Sequence, residues 1–273
     1  MWLPTRIVDH ERPHGHIPGA GGVPLHAEAY GSGDPVTVFA AGLGGTIPET
    51  RTLASGVGGT RVFYDVRGHG GSGVPADGDW SYAALAGDLR AVAGAYGATR
   101  AVGVSMGAAA MLGVLAAAPD RFTHCVFFLP AILDTARSDV ATTRLGRLAA
   151  RIDSGDVAAV EELLAAELPA PLRSSPEVVA YVRARAATLS GPGVAGLVRC
   201  LVSSAPVASR AALAPVTARC LVVGQEGDEV HPARLARELA EALPGARLHV
   251  FGTPGGLWAH RRELRSLVGE FLA

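Results

Sequence analysis

The 273-residue chain contains no lysine and no asparagine, and all 24 of its basic residues are arginine. Without lysine, no Schiff base to pyridoxal phosphate or to a carbonyl substrate can form, and the P-loop lysine that grips a nucleotide phosphate is missing. Without asparagine there is no N-glycosylation acceptor. Cysteine is scarce: Cys125, Cys200 and Cys220 make an odd set without CxxC spacing, which predicts neither a disulfide framework nor a zinc site. Cys125 and Cys220 lie in apolar runs and read as small buried hydrophobes. Neither sign of charge accumulates. The net charge of -1 offers no electrostatic footprint for nucleic acid or for an anionic membrane surface. Long apolar runs are lacking as well. The opening segment MWLPTRIVDHERPHGHIPG has no hydrophobic signal core, and the longest run, Ala101 to Ala118, is broken by glycines and by Ser105. A cytoplasmic protein with no membrane or nucleic-acid partner is expected. His10, His14 and His16 cluster near the start, where a surface tail is a better reading than a metal site.

What is present can build a large core. Hydrophobic residues make up 49% of the chain, which excludes global disorder, and the length suits one large domain or one domain with an insertion. Gly22 to Tyr30 alternates weakly, like a strand or hairpin arm. Short apolar runs then predict strands at Val36–Ala40, Arg61–Val66, Ala101–Val104, Cys125–Leu129, Arg219–Val223 and Arg247–Phe251. Helical spacing predicts helices at Trp80–Tyr96, with Ser81 as cap, and at Met106–Ala118, Pro232–Leu243 and Trp258–Leu272. Strands alternating with helices imply an α/β fold, a mostly parallel sheet with helices on both faces. Residues 131–212 break the rhythm. They show helical periodicity cut by Pro169, Pro171, Pro176, Pro192 and Pro206, and read as a helical lid inserted into a core formed by residues 1–130 and 213–273.

The strongest chemical signal is Gly103-Val104-Ser105-Met106-Gly107. This is G-x-S-x-G between an apolar strand and an Ala-rich helix, the setting in which a sharp turn exposes a serine hydroxyl above a sheet. The amide of Met106, at the helix N-terminus, points where an oxyanion would develop, and Leu43 in Ala41-Gly42-Leu43-Gly44-Gly45 is the expected second donor. Gly68–Gly73 (GHGGSG) also satisfies G-x-G-x-x-G, with Asp88 twenty residues on. A dinucleotide site needs a helix opening directly from the glycines, however, and here VPADGDWS intervenes.

Four segments, in order, resemble those of a lidded α/β-hydrolase: AAGLGG an oxyanion loop, DVRGHGGSG (Asp65–Gly73) the loop after the next strand, GVSMG a nucleophile elbow, and LVVGQEGDEVHP (Leu221–Pro232) the acid-bearing strand and loop. The resemblance runs from about Gly22 to Leu272, with the helical insertion unmatched. It implies Ser105 as nucleophile and Asp228 as the carboxylate that orients a histidine, with Asp134 as a rival acid. It implies that Arg67 and His69 shape the loop beside the site. The family places its histidine after the last strand, at a position that falls near Gly255 or Gly256. His260, about one helical turn later, is the only histidine beyond that strand and is the expected base. His231, three residues after Asp228, is the rival and is otherwise expected at the pocket rim. The implied activity is cofactor-free serine hydrolysis of an ester, thioester or lactone of a small, apolar substrate. Two alternatives remain. One is non-hydrolytic proton transfer, isomerisation or cyclisation, should no histidine reach Ser105. The other is a catalytically silent small-ligand binder.

Overall fold

The computed structural model describes residues 15–273. Its strands are β1 (Gly15–Pro18), β2 (Pro24–Tyr30), β3 (Val36–Ala40), β4 (Thr60–Tyr64), β5 (Arg100–Val104), β6 (His124–Phe128), β7 (Arg219–Gln225) and β8 (Arg247–Phe251). They form one eight-stranded sheet in the order β1-β2-β4-β3-β5-β6-β7-β8. β1 and β2 pair antiparallel and β2 is antiparallel to β4, whereas β4, β3, β5, β6, β7 and β8 run parallel. β2 falls where the weak alternation predicts a strand or hairpin arm, and β3 to β8 fall where the apolar runs predict strands. β1 lies in the segment read as a tail, and it carries His16, whose Nε2 is 3.0 Å from the Gly71 carbonyl oxygen. His10 and His14 lie outside the described residues.

Strand residues alternate between two cores, as the period of two requires. Val38, Ala101, Cys125, Phe127 and Val222 face one cluster, while Phe39, Val102, Val126, Phe128 and Leu221 face the other. Both faces are covered, so the runs read as continuously apolar rather than alternating. Three short or medium helices sit in the first half of the chain: α1 (Ile47–Thr50), α2 (Tyr82–Ala95) and α3 (Met106–Ala117). Between β6 and β7 the chain makes α4 (Asp139–Asp153), α5 (Val157–Ala166), α6 (Pro176–Leu189) and α7 (Val194–Ser203). The last part adds α8 (Ala233–Ala242), α9 (Gly256–Ala259) and α10 (Arg261–Phe271). Ser81, Ser138, Asp156 and Ser175 cap α2, α4, α5 and α6, each accepting a hydrogen bond from the backbone N–H three residues on. α2, α3 and α8 pack on the first cluster together with α4–α7, and α1 and α10 on the second. The helix expected from Trp258 onward is broken at His260, whose backbone leaves helical geometry (φ -112°, ψ 16°) and divides α9 from α10. Among the described residues no single helix is long and apolar enough to cross a membrane.

The chain passes from β3 to β4 on one side and returns to β5 on the other. Such a reversal leaves a crevice at the carboxyl ends of the strands, and the loops after β3 and β5 meet there. The loop after β4 is held from below by a buried ion pair. Arg67, 1% exposed, forks onto Asp88 with Nε and Nη2 each 2.7 Å from a carboxylate oxygen, and Nη1 donates to the Asp79 carbonyl at 2.6 Å. Asp88 is therefore an internal partner of Arg67 rather than a ribose ligand. Removing one member strands a buried charge, so Asp88→Ala is expected to cost about 3–5 kcal/mol of stability. Urea unfolding would check this, with the double variant Arg67→Met, Asp88→Leu expected to recover most of the loss.

Candidate active site

Ser105 stands between β5 and α3 with φ 49° and ψ -103°, a conformation that non-glycine residues rarely adopt. The turn is so tight that a Cβ on Gly107 would lie 2.2 Å from the Ala40 carbonyl oxygen, and one on Gly103 would lie 2.6 Å from the Met111 sulfur. Both flanking glycines are thus demanded by close packing, and the strain lifts the serine hydroxyl out of the sheet. The hydroxyl faces a cavity of about 350 Å³ walled by the loops after β3, β5, β6, β7 and β8 and by α6. Phe128, Leu129, Tyr181, Leu257 and Trp258 give that cavity apolar walls, while Glu49, Arg144, Glu167 and Arg185 also border it. Leu129, at the end of β6, also carries a positive φ of 54°. Tyr181 and Trp258 meet edge to face, their ring centroids 5.3 Å apart.

Ser105 Oγ lies 2.9 Å from Nε2 of His231, and Nδ1 of His231 lies 3.0 Å from Oδ2 of Asp228. A carboxylate only accepts, so Nδ1 carries the proton and Nε2 is left free to accept from the serine. The reach of His231 follows from the loop after β7. Oδ1 of Asp228 accepts from the backbone N–H groups of Val230 and His231, both at 2.9 Å, an aspartate-centred turn that folds the loop back over its own carboxylate. Oδ2 takes a further hydrogen bond from Nε2 of Gln225 at 2.6 Å. Burial alone would raise the Asp228 pKa; the His231 ring and the hydrogen bonds from His231 and Gln225 outweigh it and hold the carboxyl well below the usual range.

His260, the base expected from the sequence, is not brought to Ser105. Its ring stacks on Phe251 with centroids 4.2 Å apart, and its Nε2 lies 2.9 Å from the Thr253 carbonyl oxygen and 3.0 Å from the Thr253 hydroxyl. Those contacts hold it on the far side of the loop, outside the cavity lining. In the position where the resemblance implies a histidine, Gly256 donates its N–H to Oε1 of Gln225 at 2.7 Å. The only glutamine in the chain therefore ties the segment after β8 to Asp228. Sequence reasoning missed Gln225, although the DEVH spacing was visible and marked His231 as the alternative. Asp134, the rival acid, is engaged by Arg210, with contacts of 2.8 to 3.1 Å to both carboxylate oxygens.

The AGLGG loop runs alongside the serine, and a Cβ on Gly42 would be 3.6 Å from Ser105 Cβ. Among the described residues the N–H groups of Leu43 and Met106 have no acceptor. His69 is fully buried beneath this loop. Its Nδ1 lies 3.1 Å from the Arg67 carbonyl oxygen and its Nε2 accepts from Gly44 N–H at 2.9 Å, an arrangement that requires the neutral ring. Burial depresses its pKa to about 4, against smaller opposing effects from the Arg67 hydrogen bond and Asp65. Among the described residues no three His, Cys, Asp or Glu side chains converge as a metal site would require.

Glu49 in α1 also borders the cavity. Its side chain accepts from the Thr46 N–H at 3.3 Å, closing a capping box, while Oε1 is buried without a partner. Burial raises its pKa from 4.5 to about 7, against the lowering effects of Thr46 and Arg185 and with Asp65 adding to the rise. The folded state therefore favours the protonated form. That contribution is complete below about 4.5 and is lost as the pH rises through about 7. Glu49→Gln, which keeps the shape but cannot ionise, should melt progressively higher than wild type as the pH goes from 5 to 8. Paired thermal melts across that range would check this.

The model for the alpha/beta hydrolase family matches residues 16–263. A search of curated proteins gives no match. Among solved structures, an esterase from Exiguobacterium antarcticum is 21% identical over 96% of this chain and 100% of its own, with a TM-score of 0.75. An enol-lactonase from Burkholderia xenovorans LB400 is 21% identical, covering 94% and 99%, at a TM-score of 0.77. A bromoperoxidase from Bacillus anthracis is 20% identical, covering 94% and 98%, at 0.78. At such identities the likeness is one of fold. Together with a family match that spans the sheet, the insertion and the serine turn, it establishes that the chain belongs to the alpha/beta hydrolase family.

Proposed function

We propose that the protein is a serine hydrolase of carboxylic esters, thioesters or lactones, with Ser105 as nucleophile, His231 as general base and acid, and Asp228 as the orienting carboxylate. The observation that carries this reading is the continuous chain of hydrogen bonds from Ser105 Oγ through His231 to Asp228. A serine hydroxyl becomes an effective nucleophile only when a base takes its proton as the bond to carbon forms. Nε2 of His231 takes that proton while Oγ attacks the carbonyl carbon. The resulting oxyanion accepts hydrogen bonds from the amides of Leu43 and Met106, and Asp228 stabilises the imidazolium. His231 then returns the proton to the departing alkoxide or thiolate; in a lactone this group stays attached through the acyl chain. Water then enters and gives a proton to His231 as its oxygen bonds the acyl carbon; the bond from that carbon to Ser105 Oγ breaks, His231 returns the proton to Oγ, and the acid leaves. Substrates with apolar or aromatic acyl groups suit the Phe128, Leu129 and Trp258 walls, and residues 131–212 act as the lid over them.

The alternative of proton transfer without hydrolysis rested on there being no histidine within reach of Ser105, and the 2.9 Å contact with His231 removes that ground. Intact mass after incubation with a fluorophosphonate tests the proposal. Wild type should gain one probe mass at Ser105, as should His260→Ala. His231→Ala should label at least about a thousandfold more slowly, and Ser105→Ala not at all. Labelling that survives His231→Ala but is lost in His260→Ala would overturn the assignment of the base.

A further inference from the structure

The oxyanion loop is gripped from two sides. Gly45 N–H donates to the Gly42 carbonyl at 3.0 Å, closing a four-residue turn whose third residue, Gly44, has φ +77°. A positive φ there is the mark of a type II turn. Type I and type II turns differ in the orientation of their central peptide, here the one joining Leu43 to Gly44. Both ends of that peptide are held. Its N–H donates to Nε2 of His69 at 2.9 Å from the core side, and its carbonyl accepts from Nε of Arg185 at 2.9 Å from α6 of the insertion. Arg185 is itself fixed by an ion pair to Glu167, at the end of α5, with Nη1 to Oε2 at 2.7 Å. Helix α6 lies directly on the loop: a Cβ on Gly44 would stand 2.6 Å from Arg185 Cγ and 2.9 Å from Leu189 Cγ.

We propose that Arg185 is a positioning residue for the oxyanion hole: the insertion reaches into the core to pin the Leu43–Gly44 peptide and thereby, through the shared Leu43 Cα, to limit the swing of the preceding Gly42–Leu43 peptide, whose N–H faces the serine. The inference rests on the assignment of that N–H as an oxyanion donor. A donor aimed where charge develops needs no reorganisation during reaction, and one left free to rotate forfeits much of its effect. His69 by itself holds one end of a peptide that can still tilt, whereas two hydrogen bonds on opposite edges define its plane. The guanidinium suits the task because its planar fork serves Leu43 and Glu167 at once and stays charged. Seating the insertion and completing the oxyanion hole are therefore one event.

The test compares wild type with Arg185→Gln, Arg185→Lys and Glu167→Gln, using hydrolysis of a p-nitrophenyl ester and inhibition by phenylboronic acid, whose tetrahedral adduct mimics the oxyanion. Arg185→Gln should lower kcat by roughly a hundredfold with KM within about threefold, and weaken the boronate by a similar factor. Arg185→Lys should restore part of both, and Glu167→Gln, which keeps the bond to Leu43, should lose less than Arg185→Gln. A change confined to KM, or unaltered boronate inhibition in a variant with reduced kcat, would overturn the proposal. If Arg185→Gln fails to fold, Arg185→Lys and Glu167→Gln carry the same comparison, and wild-type values in both refute it. Wild-type labelling by the fluorophosphonate is read separately. Its absence removes the hydrolase reading, while its presence with unaffected Arg185 variants removes the positioning role alone.

Discussion

The Asp228 carboxylate organises the site. Its two oxygens accept four hydrogen bonds, from Val230 N–H, His231 N–H, the His231 ring and Gln225. The two backbone bonds bend the loop after β7 into the turn that delivers His231. The ring bond sets the tautomer that leaves Nε2 open toward Ser105, and the Gln225 bond extends the network to Gly256 and the loop after β8. A carboxylate so satisfied stays ionised, and a partly buried charge held by four hydrogen bonds is a rigid anchor. Asp228 and His231 thus share one short loop, and the segment after β8 is left to line the cavity with Leu257 and Trp258.

On the other side of Ser105 the rigidity comes from backbone packing. Gly107 lets α3 rest on the end of β3, which fixes the Met106 amide, and the same proximity of β3 and β5 draws the AGLGG loop beside the serine. Beneath that loop the neutral His69 and the Arg67–Asp88 pair supply buried polar support, and above it Arg185 reaches down from α6. The loop lies between these two polar layers. Each layer belongs to a different part of the chain, so the geometry around Ser105 reports on the seating of the whole insertion.

The fold was legible because its signals are local. Strand runs such as Val36–Ala40 and Cys125–Leu129 are apolar throughout, since a parallel sheet is buried on both faces, and Ser81 marked the start of α2. The serine turn was legible for the same reason, because G-x-S-x-G is a statement about sterics within five residues. β1 escaped notice since its four residues gain their strand character only by pairing with β2. The break in the last helix escaped too, because it depends on His260 stacking against Phe251 from the neighbouring strand.

The choice between the two histidines shows where sequence stops. Composition and local pattern by themselves determined the α/β class and the serine turn at Ser105, because each depends on residue type and near-neighbour spacing, and the resemblance to the lidded α/β-hydrolases added Asp228 and a short list of histidines. Which imidazole meets the serine depends on where two loops end in space. His231 and Ser105 are 126 residues apart, and only the folded sheet, with β5 and β7 on either side of β6, brings their side chains together. The same holds for Gln225 with Gly256 and for Arg185 with Leu43. Their roles are created by contacts between distant segments, which no local pattern encodes.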